Sequence, residues 1–391
     1  MLPKYYEFFC PVKILSGRKA LSNLPYELSQ LGSTKCLIVT DKGVVGAKLI
    51  ELVKTVFADS DCVIGAIFED TPVDSSNRVV NEIAKIYKAN SCDSIVAVGG
   101  GSAIDTAKGV NIVISENTDD LLKLQGVDRI KGPMEPFIVV PTTAGTGSEV
   151  TTAAIIYNED ARVKMAFMSH KLYPNIAILD PEMTRTMPPR ITAASGMDAL
   201  THAIEAYYCL QKNPVSDAYA AAAIHLIRDN LPAAVEHGDN IEARMAMANA
   251  ALLAGMAFSN SMVGIVHSLA HACGGVAHVA HGIANSILLP FGMEYNIDRV
   301  PDYLAEVALL FDPTLQEKNS KQLAQKAVNA VRDLAIQLNK LCDLPLTLSQ
   351  ARVSEDQLEK IAQVSINDGA VTYNPEDVTY DEALAVLKKA F

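Results

Sequence analysis

The chain has 391 residues, which corresponds to two or three domains at roughly 100–200 residues per domain. Apolar residues make up 49% of it and charged residues 20%, which argues against a disordered or collagen-like protein. The net charge of −12 repels phosphate backbones and anionic lipids. We therefore expect no nucleic-acid partner and no membrane partner.

Targeting signals and cysteines indicate the compartment. The uninterrupted apolar runs are shorter than the ~18 residues that cross a bilayer, and the first residues lack the basic end and apolar stretch of an export signal. The seven cysteines form no CxxC pair and are odd in number. We therefore expect reduced thiols and a cytoplasmic protein.

The first half alternates short apolar runs with helical stretches. Near-continuous apolar strands separated by helices predict a parallel sheet that is covered on both faces. The predicted helices span 76–89 and 103–114, and the predicted strands span 36–40, 63–68, 94–98, 137–140 and 176–179. The fold class predicted here is α/β.

The pattern changes at Met187-Pro188-Pro189, after which runs of β-branched residues become scarce. Ala, Leu and Met, which favour helices, dominate segments such as 218–227 and 242–258. The sequence thus predicts an α/β domain over 1–187 and an all-helical domain over 188–391, with a polar loop at 318–321.

A glycine-rich turn directly follows the predicted strand at 94–98. Gly99-Gly100-Gly101-Ser102 leads into a predicted helix, where free N–H groups and the positive end of the helix dipole suit a pyrophosphate. Ser102 and Asp105 have the spacing of a weak capping box. The GxGxxG order and the P-loop lysine are absent, and an ordinary tight turn has the same pattern.

Two further segments follow predicted strands. The segment 141–149 is dense in hydroxyl residues and glycines, which can donate hydrogen bonds to phosphate or ribose. Asp41 could accept a hydrogen bond from a ribose 2′-hydroxyl and would repel a 2′-phosphate, which favours NAD over NADP. Asp41 is equally acceptable as a plain turn residue.

Asp198 and His202 are four residues apart, so they share one face of a helix about one turn apart. A carboxylate with an imidazole suits a divalent first-row metal. A surface pair with this spacing is common, but the surrounding residues 195–203 are small and apolar, which is unusual for a solvated face.

Four more histidines, His267, His271, His278 and His281, fall within 15 residues. Each ring has two nitrogens to satisfy, and a metal site satisfies several at once. We expect Gly274-Gly275 to interrupt the helix that carries His267 and His271. Spacing alone does not select the ligands, because there are more candidates than four-coordination needs.

These motifs together resemble the iron-containing (group III) alcohol dehydrogenases. The resemblance runs in order over nearly the whole chain and covers the segments 99–108, 141–151, 196–207, 267–271, 281–282, 374–375 and 384–389. It implies an N-terminal dinucleotide-binding domain and a C-terminal helical domain. Many members have proline where this chain has Ala272 and Ala280, and neither difference removes a ligand.

The resemblance also implies site residues. The metal ligands would be Asp198, His202, His267 and His281, with His271 as the catalytic histidine and His278 as a neighbour of the site. The residues matching the cofactor site are Asp41, Gly100, Gly101, Ser102, Asp105, Thr142, Thr143, Thr146, Ser148 and Lys164. The family name favours Fe(II), with Zn(II) second.

The expected function is NAD-dependent hydride transfer between a primary alcohol and its aldehyde, by a homodimer. His271 would relay the alcohol proton, because an imidazole exchanges protons near neutral pH. The alternatives are a glycerol, diol or hydroxy-acid dehydrogenase and a maleylacetate reductase. A dehydroquinate synthase would need basic residues that 196–207 and 264–286 lack. A further alternative is a non-enzymatic nucleotide- or metal-binding protein that kept the fold, and the complete ligand set argues against it.

Overall fold

The computed structural model describes residues 3–73, 75–160 and 163–391. They form two compact units, one spanning Cys10–Thr186 and one combining the described residues up to Phe9 with Met187–Phe391. The sequence predicts the boundary one residue later and puts residues 1–9 in the α/β domain. They join the helical unit because the Phe8 ring stacks on Tyr219 and the Phe9 N–H donates to Asn260.

The unit Cys10–Thr186 alternates strands with helices. Its strands are β1 Lys13–Ser16, β2 Lys35–Val39, β3 Val63–Phe68, β4 Ser94–Gly99, β5 Gly126–Val127, β6 Phe137–Pro141, β7 Ala153–Asn158, β8 Val163–Met168 and β9 Ile176–Leu179. Its α-helices are α1 Leu24–Gln30, α2 Lys42–Gly46, α3 Leu49–Val56, α4 Asn77–Ala89 and α5 Gly101–Ser115. Short 3₁₀ turns span Ala20–Asn23, Leu121–Leu124, Ser148–Val150, His170–Leu172 and Pro181–Met183.

Six strands form a parallel sheet in the order β1-β9-β6-β4-β2-β3. The chain runs outward from β2 to β3 and then returns to the other side of β2 as β4. The point between β2 and β4 is therefore a topological switch point, where open α/β sheets bind ligands beyond the carboxyl ends of their strands.

Both faces of this sheet are buried, because successive strand residues point to opposite sides. Leu37 and Val39 pack in a core with residues of α4 and α5, whereas Cys36 and Ile38 pack with residues of α1, α2 and α3. This two-sided burial explains why the strands read as continuous apolar runs. The predicted α/β fold is confirmed, and the strands at 63–68 and 176–179 have the predicted bounds.

A second, three-stranded sheet in the order β5-β8-β7 was not predicted. Its strands β7 and β8 form an antiparallel hairpin. The inward residues Ala154, Ile156, Met165 and Phe167 extend the core that lies over α4 and α5.

The other unit is helical, and no strand lies in 187–391, all of which is described. Its α-helices are α6 Pro189–Tyr208, α7 Pro214–Glu236, α8 Ile241–Ser261, α9 Ile265–Ala277, α10 His281–Asn296, α11 Pro301–Phe311, α12 Ser320–Cys342, α13 Leu358–Ser365 and α14 Tyr380–Ala390, with 3₁₀ turns at Glu355–Gln357 and Gly369–Tyr373. Within the described ranges, no single helix has the length and apolar character of a membrane span; α8 and α9 meet that criterion only together, across a 104° bend.

Three local predictions were wrong. Helix α9 continues through Gly274-Gly275 and ends at Ala277, where His278 takes a left-handed conformation. Helix α12 begins inside the predicted loop, at Ser320, because Asn319 caps it. Helix α5 begins at Gly101 with Gly100 as its N-cap, so Ser102 lies inside the helix and forms no capping box.

Asp93 connects the beginnings of β2 and β4. Its carboxylate accepts hydrogen bonds from the Ser33 hydroxyl (2.6 Å), from the Thr34 N–H and hydroxyl (both 2.8 Å) and from the Lys35 N–H (2.9 Å). Burial acts to raise the pKa of Asp93, but these bonds outweigh it and hold the pKa below the ordinary value. The bonds therefore stabilise the folded state above the unfolded pKa of ~3.9, and this stabilisation is lost as pH falls through the folded pKa.

We expect Asp93→Ala to lose about 1–3 kcal/mol at pH 7, because hydrogen bonds to a charged group are strong. For a domain of this size, each kcal/mol lowers the thermal midpoint by about 2–4 °C. Circular dichroism melts at pH 7 and at about pH 3 measure the difference in thermal midpoint between the variant and wild type. This difference should be smaller at the lower pH. The control is Asp61→Ala, at an exposed position before β3; equal midpoints for the two variants at pH 7 would contradict the assignment.

Candidate cofactor loop and metal centre

In the α/β unit, the predicted cofactor residues lie beyond the carboxyl ends of three neighbouring strands. Asp41 follows β2, the glycine turn ends β4, and the segment from Thr142 to Ser148 follows β6. The Thr142 N–H donates to the carbonyl oxygen of Gly99 (3.0 Å). The three segments therefore meet at the switch point of the sheet.

The glycines of this turn lie closer to two threonine side chains than most Cβ atoms lie to their neighbours. A Cβ atom on Gly100 would lie 3.1 Å from Thr143 Oγ1, and one on Gly101 would lie 3.0 Å from Thr146 Cγ2. Since no side chain caps the N-terminus of α5, its N–H groups and the two threonines form one polar surface. Such a surface can bind a pyrophosphate.

Asp41 caps a helix and lies beside the glycine turn. Its Oδ1 accepts hydrogen bonds from the Gly43 N–H (2.7 Å) and the Val44 N–H (3.0 Å), so it caps α2. Its Oδ2 lies 3.2 Å from the position of a Cβ on Gly99. The carboxylate therefore lies beside the glycine turn.

Asp105 and Ser148 contact each other under the turn. Asp105 accepts a hydrogen bond from the Ser148 hydroxyl (2.9 Å) and another from the Ile155 N–H of β7 (3.1 Å). Burial raises the pKa of Asp105, although Lys108 opposes the rise. The geometry favours a role for Asp105 in shaping the loop over direct contact with a dinucleotide.

Of the two remaining predicted cofactor residues, Ser102 lies in the first turn of α5, directly after the glycine turn, and Lys164 lies on β8. The Ser102 hydroxyl donates to the carbonyl oxygen of Val73. Lys164 is an exposed residue of β8, opposite Tyr157 of the hairpin.

In the helical unit, the four predicted metal ligands come from three helices. Asp198 and His202 lie on α6, His267 lies on α9, and His281 begins α10. One ligand atom from each side chain can be chosen such that all four lie within 4.8 Å of one another. Spacing in the sequence left this choice open, and the structure brings together the set that the family resemblance implies.

These distances suit a divalent first-row cation. Metal–ligand bonds of about 2.0–2.2 Å put the ligand atoms of one ion roughly 3–4.5 Å apart, and Asp198 Oδ1 lies 3.4 Å from His281 Nε2. Burial raises the pKa of Asp198, but nearby imidazoles and Asn285 outweigh it, so the pKa is lowered and the carboxylate is charged. One carboxylate with three imidazoles is a donor set that Fe(II) and Zn(II) accept.

Glu205 orients His267. Glu205 is fully buried on α6, and its Oε2 lies 2.6 Å from His267 Nδ1. A carboxylate at this nitrogen makes it the donor and leaves the lone pair of Nε2 for a metal. Burial, reinforced by His202 and His281, holds the pKa of His267 well below its ordinary value, so the ring is neutral.

Glu205 also joins two helices. It accepts hydrogen bonds from the N–H groups of Val266 (2.9 Å) and His267 (3.3 Å) in the first turn of α9, and from the Tyr208 hydroxyl (3.1 Å). A carboxylate is favourable at the N-terminus of a helix. The residue that orients His267 thereby also fixes the start of its helix against α6.

His271 lies next to the four predicted ligands and pairs with a carboxylate that is 97 residues away in the sequence. Its ring stacks on the ring of His281, with 5.2 Å between the centroids, and its Nδ1 lies 2.9 Å from Asp368 Oδ2. The side chain is 45% exposed. His271 is thus positioned between the predicted ligands and solvent, whereas His278 is an exposed residue just after α9.

The chain matches two family models that together cover most of its length. One is described as iron-containing alcohol dehydrogenase and matches residues 11–181, and the other is the C-terminal model of the Fe-containing alcohol dehydrogenase family and matches residues 192–391. The chain belongs to the iron-containing alcohol dehydrogenase family. The predicted family and its class of enzyme, an oxidoreductase, are thereby confirmed.

Relatives within the iron-containing alcohol dehydrogenases match from end to end. The chain is 36% identical to the NAD-dependent methanol dehydrogenase of Bacillus methanolicus, over 98% of this chain and 99% of that one. It is 36% identical to the 1,3-propanediol dehydrogenase of Klebsiella pneumoniae, over 99% of each. A crystal structure of a 1,3-propanediol oxidoreductase superposes with a TM-score of 0.95 and 34% identity, over 99% of this chain and 100% of that one.

The sequence analysis missed Glu205 and Asp368. Glu205 carried a usable signal, because it is the one Asp, Glu, Lys or Arg residue in the apolar segment 199–208 of α6, three residues after His202. Asp368 carried none, since it lies 97 residues after its partner His271.

We expect His267→Ala to bind Fe²⁺ or Zn²⁺ at least roughly tenfold more weakly than wild type, because it removes a ligand and uncouples Glu205. Elemental analysis after loading and desalting measures the ions per chain. His237→Ala, a change in an exposed histidine just after α7, is the control. Wild-type metal content in His267→Ala would refute the ligand assignment.

Proposed function

We propose that this chain interconverts small primary alcohols and aldehydes by hydride transfer to and from NAD, with a divalent cation held by Asp198, His202, His267 and His281. The dehydrogenase class rests on the family, and the cofactor on the family and on relatives such as the NAD-dependent methanol dehydrogenase. Within that class, the ligand roles and the substrate are our proposal.

The observation that carries the proposal is the convergence of the four donor atoms in a buried part of the helical unit. A buried carboxylate packed against three imidazole rings is costly unless a positive group faces it. When bound, a divalent cation would lower the pKa of the alcohol, and NAD would accept the hydride.

The residues of the chain supply orientation and proton transfer. Glu205 keeps the lone pair of His267 Nε2 available by bonding to Nδ1. His271, held by Asp368 and partly exposed, would take the alcohol proton and release it to solvent. In the α/β unit, the N-terminus of α5, Thr143 and Thr146 would bind the pyrophosphate, Asp41 the adenosine ribose, and Lys164 another part of the dinucleotide.

A diol is the second candidate substrate. Two of the relatives are named for 1,3-propanediol, and they are 36% and 34% identical to this chain, against 36% for the methanol dehydrogenase. An aldehyde or alcohol with a second hydroxyl group therefore belongs in any substrate panel.

Three finer properties are part of the same proposal. We expect Fe(II) to be the native cation with Zn(II) second, because the donor set accepts both and the family is iron-containing. We expect a homodimer in the cytoplasm, with no nucleic-acid or membrane partner. The seven free cysteines and the net charge of −12 support the compartment and the absence of those partners.

We expect the chain loaded with Fe²⁺ or Zn²⁺ to reduce NAD with short primary alcohols and 1,3-propanediol. Without metal, we expect little of this activity. His271→Ala should keep its metal but lower kcat by about 10²–10⁴, because it loses the proton relay. Absorbance at 340 nm and elemental analysis of the same samples measure the two effects. No turnover of any alcohol or aldehyde by metal-loaded protein would refute the function, and loss of metal from His271→Ala would make His271 a ligand.

We expect Asp41→Asn to raise kcat/KM for NADP relative to NAD by about tenfold, equivalent to ~1.4 kcal/mol. An amide still caps α2, but it no longer repels a 2′-phosphate. The control is Asp61→Asn, which removes the same charge before the amino end of β3, whereas Asp41 lies beyond the carboxyl end of the neighbouring strand β2. This variant should leave the preference for NAD over NADP unchanged. The same preference in Asp41→Asn as in wild type would remove Asp41 from the ribose site.

A further inference from the structure

Asn285 is a buried amide among the predicted ligands, and neither the motifs nor the family match assigns it a role. It lies one turn after His281 on α10 and is fully buried. Its Nδ2 donates to Asp198 Oδ1 at 2.6 Å, and it lies 3.1 Å from His281 Nε2 and 3.4 Å from His267 Nε2. Three of the four predicted ligand atoms therefore surround one amide nitrogen.

The orientation of this amide has a clear cause. Its carbonyl oxygen is buried and accepts no hydrogen bond from the described residues, which is unfavourable for a polar group. Exchanging the nitrogen and the oxygen would place the oxygen 2.6 Å from a charged carboxylate oxygen, where the two would repel. The acceptors around Nδ2 therefore determine which end of the amide faces them.

We propose that Asn285 is a positioning residue that holds Asp198, His267 and His281 converged on the cation position before the cation binds. This inference rests on the proposed function, since it takes these side chains as metal ligands. Asn285 is not a ligand itself: its nitrogen has no free lone pair, and its oxygen faces away from the group.

The physical reason is the repulsion that the ligands exert on one another. Without a positive group between them, a carboxylate and two imidazole lone pairs favour rotation of the side chains away from each other. The two N–H bonds of Asn285 supply partial positive charge at that place. A carboxylate has about four lone-pair positions on its two oxygens, so Asp198 can keep the bond to Asn285 while it binds a cation.

The backbone places Asn285 for this task. A Cβ on Gly282 would lie 2.5 Å from the carbonyl oxygen of Ala194, so only glycine allows the first turn of α10 to approach α6 this closely. Asp198 lies one turn after Ala194 on α6, and His281 and Asn285 share a face of α10. The contact between the two helices therefore brings the amide to the carboxylate.

The test compares Asn285→Leu, which keeps the approximate volume and removes both N–H bonds, with Asn296→Leu. Asn296 is also fully buried on α10, but its Nδ2 donates to the Gly292 carbonyl (3.2 Å) and to Asn374 Oδ1 (3.0 Å), away from the ligands. Competition with a chromogenic chelator gives the Kd for Zn²⁺ without any turnover. We expect Asn285→Leu to bind Zn²⁺ about 10–100-fold more weakly than wild type, and Asn296→Leu to bind it as wild type does, although both variants lose thermal stability.

A second measurement separates positioning from ligation. At saturating Co²⁺, the visible spectrum of Asn285→Leu should have the shape of the wild-type spectrum, because the set of ligands is unchanged. A changed spectrum, or a Kd for Zn²⁺ equal to that of wild type, would overturn the inference. If Asn285→Leu does not fold, Asn285→Ala takes its place with the same expected results. If the wild-type chain itself binds no Zn²⁺, Co²⁺ or Fe²⁺, the proposed metal site fails first, which distinguishes the two failures.

Discussion

The helical unit depends on one constraint: a carboxylate and three imidazoles must face one another in the interior of the protein. Asp198, His202 and His267 are almost fully buried, and His281 is partly exposed. Such a group is unfavourable in a protein interior unless its members are neutral, hydrogen-bonded or opposed by a positive charge. The structure meets these conditions through Glu205, through Asn285 and through the lowered pKa of His267. The packing of α6, α9 and α10 serves the same convergence, because each of these helices carries at least one of the predicted ligands.

Two histidines of the site share one arrangement, in which the Nδ1 atom faces a carboxylate from another segment. For His267 the carboxylate is Glu205, and for His271 it is Asp368. A carboxylate at Nδ1 fixes which ring nitrogen carries the hydrogen and how the ring is turned. The two pairs differ in burial, since His267 is enclosed and His271 is 45% exposed. This difference suits the enclosed ring for holding a cation and the exposed ring for exchanging protons with solvent.

The parts of the fold that follow from local patterns could be predicted from the sequence. Two-sided burial makes strands such as Val63–Phe68 continuously apolar, so they were identified with their bounds, and the i,i+4 spacing of Asp198 and His202 placed them on one helix face. The hairpin β7–β8 was missed although 153–157 and 165–168 are apolar runs, because one of its faces is exposed and residues along β7 alternate between buried and less buried positions. Contacts between distant segments, such as that of Asp368 with His271, leave no local pattern. The prediction that Gly274-Gly275 interrupts α9 was wrong, because tertiary packing keeps this segment helical despite the low helix propensity of glycine.

The predicted cofactor loop shows that residues of one motif can differ in what they contact. Asp105 and Lys108 belong to the motif at 99–108, which favours direct contact with a dinucleotide. In the structure, Lys108 is fully buried, and its ammonium donates to the carbonyl oxygens of Ser148, Thr151 and Ala153 at 2.8–2.9 Å. Burial lowers the pKa of Lys108 to about 8, while Asp105 opposes this. The N–H groups and hydroxyls that a loop leaves for a ligand are not used in contacts within the protein, so buried residues next to the loop must hold it in place. Asp105 and Lys108 hold it there through their hydrogen bonds to residues 148–155, which explains why the helix after the glycine turn contains two buried ionisable side chains.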